Sequence, residues 1–396
     1  MSAGLYIHIP FCLSKCDYCD FYSFKADVET MDAYLAALKK TLRFWGSQTA
    51  DRFDTVYLGG GTPSVFGAKR LTETLDTVRR SFRLTNDVQI TVECNPSSVT
   101  AELADALIFA GVNRVSLGLQ SAVAAERTAL GRRSTVQQAE TALSLLRHSG
   151  INDLSLDLML GIPGQTPQSL RESLQFLEST GVRHVSAYLL KLEEHTPLFD
   201  RRDTLFLPDE DAVCDLYLQA ADALEDMGLR QYEISNFAVP GHESRHNLHY
   251  WLDEPYLGVG PAAHSFFGGK RFYYPRNLQA FLNGSVPVFD CIGGDKAEFC
   301  MLRLRLTQGL CDSAFYAHFG KHLPQEMFTA AKQLEPHGLL TVRGDTIALT
   351  KAGFLVSNSV IGYLLNTTYT ESSFDSFLSR KECPAASVIK STRSHD

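Results

Sequence analysis

The sequence has 396 residues, of which 44% are hydrophobic and 21% charged, and its formal net charge is −8. A chain of this length exceeds what one hydrophobic core usually organises, so we expect one large domain with smaller additions. The acidic balance argues against nucleic acid as a partner and allows at most peripheral membrane contact. No stretch approaches the ~20 apolar residues of a membrane span and the N-terminus lacks signal-peptide features, so we expect a cytoplasmic protein.

Short apolar runs alternate with amphipathic stretches through the first half of the chain. Strands are predicted at residues 5–9, 55–58, 89–93, 114–119, 154–160 and 184–190, and helices between them at 31–44, 68–81, 101–110, 136–148 and 168–179. The repeated switch between periods of 2 and 3.6 is typical of βα units on a parallel sheet. Six units are fewer than the eight of a closed barrel, so we predict an α/β fold with a partial (β/α)6 TIM-like barrel. Its chemistry would lie at the C-terminal ends of the strands.

The rhythm changes after residue 190. A long helix is predicted at 209–227, a strand at 233–238, and an aromatic, Gly-rich stretch continues to about residue 289. Residues 296–365 predict a small winged-helix-like α+β domain, with two helices, a hairpin at 339–342 and 346–349, and a last helix. We therefore divide the chain into a partial barrel (1–205), a barrel extension (206–290), the winged-helix-like domain (291–370) and a flexible tail (371–396).

Three cysteines directly follow the first predicted strand. Cys12, Cys16 and Cys19 form a CxxxCxxC run, and the other six of the nine cysteines are scattered. Three thiolates on one loop can hold three irons of a 4Fe–4S cluster and leave the fourth iron open. The amino and carboxylate groups of S-adenosylmethionine (SAM) can chelate that iron, and an electron from the cluster then yields a 5′-deoxyadenosyl radical. A structural zinc site would need a fourth ligand, commonly from a second CxxC, which the sequence lacks.

Glycines and polar residues stand at the ends of the next predicted strands. Gly59, Gly60, Gly61 and Thr62 close the second strand, where a backbone without side chains can approach a ligand closely. At later strand ends lie four polar side chains, Glu93, Gln120, Arg132 and Asp157. Each alone is as often a solvated end or a salt-bridge partner. Together they predict a ring of hydrogen-bonding groups suited to a zwitterionic ligand that carries a ribose.

Several runs of residues carry a family resemblance. YIHIPFC, GGGTP, LGLQS, DLMLGIPGQT and GPAAHS resemble the oxygen-independent coproporphyrinogen III oxidase family of radical SAM proteins over about residues 4–365. The resemblance implies a 4Fe–4S cluster, SAM and an electron donor such as flavodoxin or ferredoxin. It also implies that SAM is contacted by Tyr6, Tyr18, Gly60, Gly61, Thr62, Glu93, Gln120, Arg132 and Asp157.

Two departures distinguish subgroups of that family. The decarboxylating oxidases continue the cysteine run as CxxxCxxCxC, but position 21 is Phe21 here. Those enzymes also carry an extension before the first strand, whereas Tyr6 already lies in the predicted strand. Both features resemble the HemW-type heme chaperones, which bind heme and pass it to respiratory apoproteins, so heme and an apo-hemoprotein acceptor are expected partners.

The run His246-Asn247-Leu248-His249-Tyr250-Trp251 matches the HNxxYW signature of that subgroup. A neutral imidazole is a good axial ligand to heme iron. On a helix His246 and Tyr250 share a face, and an aromatic face suits a porphyrin. We therefore predict that His246 and Tyr250 bind heme, with His249 in reserve. The alternative is a packed aromatic segment whose histidines have no ligand role.

Two enzymes compete with the chaperone hypothesis. One is an oxidase that decarboxylates coproporphyrinogen III to protoporphyrinogen IX, an activity that Phe21 and the short N-terminus disfavour. The other is an enzyme of the same family that methylates heme and opens its ring anaerobically. The residues leave open whether the chain is an enzyme. The few basic residues of the C-terminal domain, including Arg303, Arg305 and Lys321, favour a protein-docking or lid module over nucleic-acid binding.

Overall fold

The computed structural model describes residues 2–369, with side chains described as far as residue 366. The tail predicted at 371–396 lies outside the described residues. In the described part of the chain, no helix combines the length and the hydropathy needed to cross a membrane.

The first half of the chain follows the predicted alternation of strands and helices. Its strands are β1 Ser2–Ile9, β2 Arg52–Gly60, β3 Arg83–Cys94, β4 Arg114–Gln120, β5 Asp153–Leu160 and β6 His184–Leu189. Its α-helices are α1 Val28–Gln48, α2 Ala68–Ser81, α3 Ala101–Phe109, α4 Ala124–Ala129, α5 Val136–His148, α6 Pro167–Thr180 and α7 Pro197–Asp200.

The second half contains shorter elements. They are α8 Glu210–Asp226, β7 Arg230–Glu233, β8 Asn236–Ala238, α9 Arg245–Trp251, β9 Tyr256–Val259, β10 His264–Phe267, β11 Lys270–Tyr273, α10 Leu278–Leu282 and β12 Val288–Ile292. The C-terminal elements are α11 Lys296–Arg303, β13 Leu310–Cys311, α12 Asp312–Phe319, α13 Gln325–Leu334, β14 Leu340–Arg343, β15 Thr346–Leu349, α14 Lys351–Leu355 and α15 Ser357–Tyr369.

The main sheet is an open barrel with additions at both edges. Its twelve strands follow the order β12-β11-β10-β9-β1-β2-β3-β4-β5-β6-β8-β7. Strands β1 to β6 are parallel and in sequence order, and β1 pairs with β2 and β9 rather than with β6. The predicted partial (β/α)6 barrel is therefore confirmed, since six parallel βα units leave the barrel unclosed.

Side-chain alternation along β1 separates the helix layer from the barrel interior. Leu5, Ile7 and Ile9 are fully buried and belong to the same core cluster as the helix residue Leu38. The alternate residues face the lumen, where a Cβ on Gly4 would meet the side chains of Thr55 and His246. Because successive side chains of a strand point to opposite faces, apolar outer positions hold the helices while inner positions are free to carry polar groups.

The C-terminal elements form a small α+β unit around the antiparallel sheet β13-β15-β14. The predicted hairpin is present, with β14 and β15 paired and Gly344 at φ 60° in the turn. Three helices precede the hairpin instead of the two predicted. Gly320, in the left-handed conformation with φ 63°, ends α12 and separates it from α13.

The single strand predicted at 233–238 was wrong. The segment contains the end of β7 and all of β8, which pair antiparallel as a hairpin. Between them, the Ser235 amide donates to the side chain of Glu233, and Glu233 itself is fully buried. Glu233 was predicted to begin a strand, but it ends β7 and its carboxylate accepts a hydrogen bond from the backbone of the turn.

Candidate cofactor site

A cavity of about 450 Å³ opens at the C-terminal ends of the barrel strands. Most of the predicted site residues line it, namely Cys12, Cys16, Cys19, Tyr18, Gly60, Gly61, Thr62, Glu93, Gln120, Arg132 and Asp157. Residues from the C-terminal halves of strands β2 to β5 and from the loops after β1, β2 and β4 thus meet at the edge where parallel βα folds carry their chemistry.

The cysteine loop is tied to the cavity walls. The Cys12 amide donates to the Phe24 carbonyl at 3.0 Å, and its Sγ lies 3.4 Å from Thr62 Oγ1. A guanidinium nitrogen of Arg132 lies 3.6 Å from Cys16 Sγ. Cysteine binds iron in its thiolate form. Within residues 2–369, no three Cys, His, Asp or Glu side chains are close enough as placed to form a metal site, so the ligand set stays a prediction.

The glycine run lies against β1 and cannot carry side chains. Gly60 has φ 109°, and a Cβ there would come within 2.5 Å of the His8 ring. A Cβ on Gly61 would lie 2.8 Å from the Phe11 carbonyl oxygen. The Gly61 and Thr62 amides donate to backbone carbonyls of residues 9 and 11 at 2.9 and 2.8 Å. The loop is therefore fixed in place and presents bare backbone to the cavity.

Two carboxyl groups stand deep in the cavity wall. Glu93 Oε1 accepts a hydrogen bond from the Tyr57 hydroxyl at 2.7 Å, and Oε2 accepts from the Gly60 amide at 3.2 Å. Burial raises the pKa of Glu93 to about 7 although the Tyr57 bond works in the opposite direction. Asp157 accepts from Ser116 Oγ at 3.0 Å, and burial also raises the pKa of Asp157. Such carboxyls suit an ammonium group and ribose hydroxyls.

Gln120 and Arg132 carry buried polar atoms that lack partners. Gln120 has φ 72°, a strained value for a residue other than glycine, and the β4–β5 ladder is irregular beside it. Among the described residues, neither Gln120 Oε1 nor Arg132 Nε finds a hydrogen-bond partner. Buried orphan groups are rare unless a ligand completes them. The three thiols, the bare glycine loop and these orphan atoms together fit a 4Fe–4S cluster and SAM.

The two predicted tyrosines occupy different levels of the barrel. Tyr18 lines the cavity, and burial raises the pKa of its hydroxyl. Tyr6 lies deeper on β1, where its hydroxyl bonds to His8 Nδ1 at 3.1 Å. The structure therefore brings Tyr18 but not Tyr6 to the cavity, and contact between Tyr6 and SAM stays a prediction.

The HNxxYW helix α9 lies at the opposite end of the barrel. The Arg245 amide donates to Gln89 in the middle of β3, and its guanidinium pairs with Asp87 earlier in that strand, while His249 Nε2 lies 2.8 Å from Asp54 near the start of β2. Burial would lower the pKa of His249, but its ion pairs with Asp54 and Glu254 raise it to about 9. The reserve heme ligand is thus an ion-paired residue at the barrel floor.

His246 has both ring nitrogens engaged. Nδ1 lies 2.8 Å from Thr55 Oγ1, and Nε2 lies 2.9 Å from the Tyr250 hydroxyl, the partner that the i, i+4 spacing predicts. The side chain is buried, and burial lowers the pKa of His246 to about 3. Ligation of heme iron by His246 or Tyr250 would require these bonds to break, so this role stays a prediction.

Sequence reasoning missed Tyr57, which binds Glu93 from the neighbouring strand. Its signal was present in the pattern, because Tyr57 stands between the buried Val56 and Leu58 and therefore points to the opposite face of β2. A hydroxyl-bearing side chain at an inward position, two residues before the glycine run, was the available clue.

The open barrel, the three-cysteine loop and the polar cavity define a radical SAM protein. Residues 6–177 match the family model of the Radical SAM superfamily, and residues 297–356 match that of the HemN C-terminal domain. The solved structure of coproporphyrinogen III oxidase (HemN) from Escherichia coli shares the fold, with a TM-score of 0.79 and coverage of 92% of this chain and 90% of that one, at 20% identity.

Curated relatives identify the family within this class. The heme chaperone HemW of Mycobacterium tuberculosis is 36% identical over 91% of this chain and 94% of its own length. HemW of Bacillus subtilis is 32% identical over 91% of this chain and 98% of its own length. The chain belongs to the HemW family of radical SAM proteins.

Proposed function

We propose that this chain is a heme chaperone that binds heme and transfers it to apo-hemoproteins of respiration. One observation carries the proposal: relatives named heme chaperone HemW align with more than 90% of this chain at 32–36% identity. An alignment of that extent includes the cavity, the signature helix and the C-terminal domain together. A cytoplasmic site of action is part of the proposal, and the eight free cysteines of the described residues suit a reducing compartment.

A 4Fe–4S cluster and SAM belong to the same proposal. Cys12, Cys16 and Cys19 would hold the cluster, which when bound supplies an electron to SAM. The chain's own groups would then orient SAM. Glu93 suits its ammonium group, and Asp157 suits its ribose hydroxyls. Cleavage of SAM would consume an electron, which is why a donor such as flavodoxin or ferredoxin is a proposed partner.

The exposed surface beside the cysteine loop supports heme binding near the cavity mouth. Phe21 and Leu13 are 67% and 59% exposed, and Leu189 at the cavity wall is 41% exposed. Large apolar side chains at a concave polar site are suited to a flat, apolar ring with charged edges. The heme-ligating atom is left unassigned, since His246 is fully engaged at the barrel floor.

The oxidase alternative is tested by a product assay. Reconstituted protein would be incubated anaerobically with coproporphyrinogen III, SAM and a reductant, and carbon dioxide and deoxyadenosine would be measured. The chaperone proposal expects no release of carbon dioxide and, in parallel, transfer of bound heme to an apo-hemoprotein. Stoichiometric decarboxylation without heme transfer would replace the chaperone with the oxidase.

A further inference from the structure

The signature helix α9 forms the floor of the barrel beneath the cavity. The His246 ring stacks under the Tyr57 ring, with centroids 5.2 Å apart and planes inclined by 24°, and lies 6.2 Å from the Tyr6 ring. Its two nitrogens are bonded to Thr55 and Tyr250 at 2.8 and 2.9 Å. Because stacking and both hydrogen bonds act on one fully buried ring, His246 has a single fixed position.

Tyr57 connects this floor to the cavity. Its hydroxyl donates to Glu93 Oε1 at 2.7 Å, while the second oxygen accepts from the Gly60 amide at 3.2 Å. The packing between them is tight, since a Cβ on Gly59 would lie 2.9 Å from the Tyr57 ring and 3.0 Å from Glu93 Oε1. A displacement of the Tyr57 ring therefore displaces the carboxylate.

The C-terminal domain holds α9 from the other side. Arg303 donates to the carbonyl of Leu252 at 3.3 Å, and the Arg305 guanidinium lies 5.9 Å from the Trp251 ring. These contacts fix the end of α9 opposite to His246. The helix is thus supported by two parts of the chain and cannot shift without disturbing both.

We propose that His246 and Tyr57 are positioning residues for the SAM site, with His246 setting the place of the Tyr57 ring and Tyr57 orienting the Glu93 carboxylate toward the ligand's ammonium group. The residues of the HNxxYW signature then support the SAM site from the floor of the barrel. This role rests on the proposed binding of SAM in the cavity, and it assigns the signature a task that the heme-ligand hypothesis does not.

The pH dependence of SAM binding reports the ionisation of Glu93. A purely structural role of His246 and Tyr57 would leave that pH dependence unchanged. The titratable groups that face it from the surrounding elements are Tyr6, Tyr57, Cys94, Asp157, Tyr188 and Tyr250. Burial raises the pKa of Glu93 to about 7, and the Tyr57 hydrogen bond lowers it. The α-amino group of SAM stays protonated below about pH 7.5. Binding should therefore strengthen as pH rises through about 7.

The test measures the SAM dissociation constant by anaerobic titration calorimetry of the reconstituted protein between pH 6 and 8. His246→Leu removes the ring below Tyr57 and should weaken SAM binding about tenfold, the loss of one charge-assisted hydrogen bond. Tyr57→Phe keeps the ring but removes the donor. Its affinity should fall about fivefold at pH 7, and the rise in affinity with pH should move to higher pH.

His184 offers a matched control at the same depth of the barrel. Its Nδ1 lies 2.7 Å from Ser155 Oγ and its Nε2 lies 2.9 Å from the Tyr232 hydroxyl, and it is as buried as His246. Its hydrogen bonds and its ring contact are made with Ser155 and Tyr232, not with Tyr57 or Glu93. His184→Leu should lose comparable stability yet keep SAM affinity within about twofold.

Several results would overturn the positioning role. Unchanged SAM affinity in both His246→Leu and Tyr57→Phe would remove it, as would loss of heme binding by His246→Leu with intact SAM affinity. If His246→Leu does not fold, Tyr57→Phe decides alone, because its ring preserves the packing. A wild-type protein that binds heme but not SAM would refute the proposed SAM site itself. That result differs from a failure of the positioning role, in which the wild-type protein binds SAM and the variants bind it equally well.

Discussion

His249 Nε2 lies 2.8 Å from Asp54 Oδ1, which clamps the signature helix α9 to the beginning of β2. On the other side of the ring, Nδ1 lies 3.0 Å from Glu254. Two carboxylates around one buried imidazole hold it in the charged form. The ion-paired cluster secures the floor of the barrel.

The first prediction concerns the pH dependence of stability. The folded pKa of His249 is about 9, above the unfolded value of about 6.5. Its contribution is therefore complete below about pH 6.5 and is lost as pH rises through about 9. His249→Gln should lower the free energy of unfolding by about 2 kcal/mol at pH 6.5, a value reduced because Asp54 and Glu254 are partly exposed.

Urea unfolding at pH 6.5 and 9.5 measures this difference. The gap between wild type and His249→Gln should narrow at the higher pH. The exposed His148, replaced by Gln, serves as a control with no gap at either pH. An equal gap at both values would show that the ion pairs do not govern this stability.

The second prediction concerns the glycine loop. Gly60→Ala places a Cβ within 2.5 Å of the His8 ring at φ 109°, so it should cost about 2 kcal/mol or more and abolish SAM binding. Gly228→Ala carries the strain of φ 83° without a neighbour within 4 Å. Calorimetry should show that Gly228→Ala is destabilised but keeps its SAM affinity. Equal effects in both variants would mean that backbone strain, and not the contact between the new Cβ and the His8 ring, causes the loss of stability and SAM affinity.

The third prediction is that one substitution at Gln120 raises the stability of the protein and lowers its affinity for SAM. Gln120→Gly relieves the strain of φ 72° and removes a buried orphan oxygen, so thermal unfolding should show a gain of about 1 kcal/mol. SAM affinity should fall at least several-fold because the side chain is lost. Ala262→Gly, at φ 67°, should gain stability without loss of affinity. A Gln120→Gly protein with full affinity would remove Gln120 from the site.

The fourth prediction concerns the cluster ligands. Cys16→Ala should abolish the iron and sulfide content after anaerobic reconstitution, together with the cluster absorbance and any deoxyadenosine formation. Cys291→Ala changes an exposed cysteine on β12 and should leave the iron content unaffected. A fully loaded cluster in Cys16→Ala would contradict the ligand assignment.

Local signals made much of the barrel predictable. The helix predicted at 136–148 is α5, whose N-terminus is fixed by a capping box between Thr135 and Gln138. The helix predicted at 68–81 is α2, which ends where Phe82 takes an extended conformation. The central residues of the strands were predicted correctly because their apolar side chains face the helices. The observed strands extend beyond the predicted bounds where backbone hydrogen bonding continues without an apolar pattern.

The position of the HNxxYW signature was not predictable in the same way. Its spacing correctly placed Tyr250 against His246, since that contact is local to one helix. The contact with Thr55 spans 191 positions in sequence, and no local pattern indicates it. The strands β9 to β12 were missed for the same reason, because they pair with β1 and with one another across the barrel edge.

The measurement that tests the central claim most directly is an anaerobic heme titration of the reconstituted protein, followed by mixing with an apo-hemoprotein. Membership of the HemW family predicts saturable binding with a shift of the heme Soret band, and then transfer of that heme to the acceptor. Absence of saturable binding, or bound heme that no acceptor removes, would contradict the chaperone function.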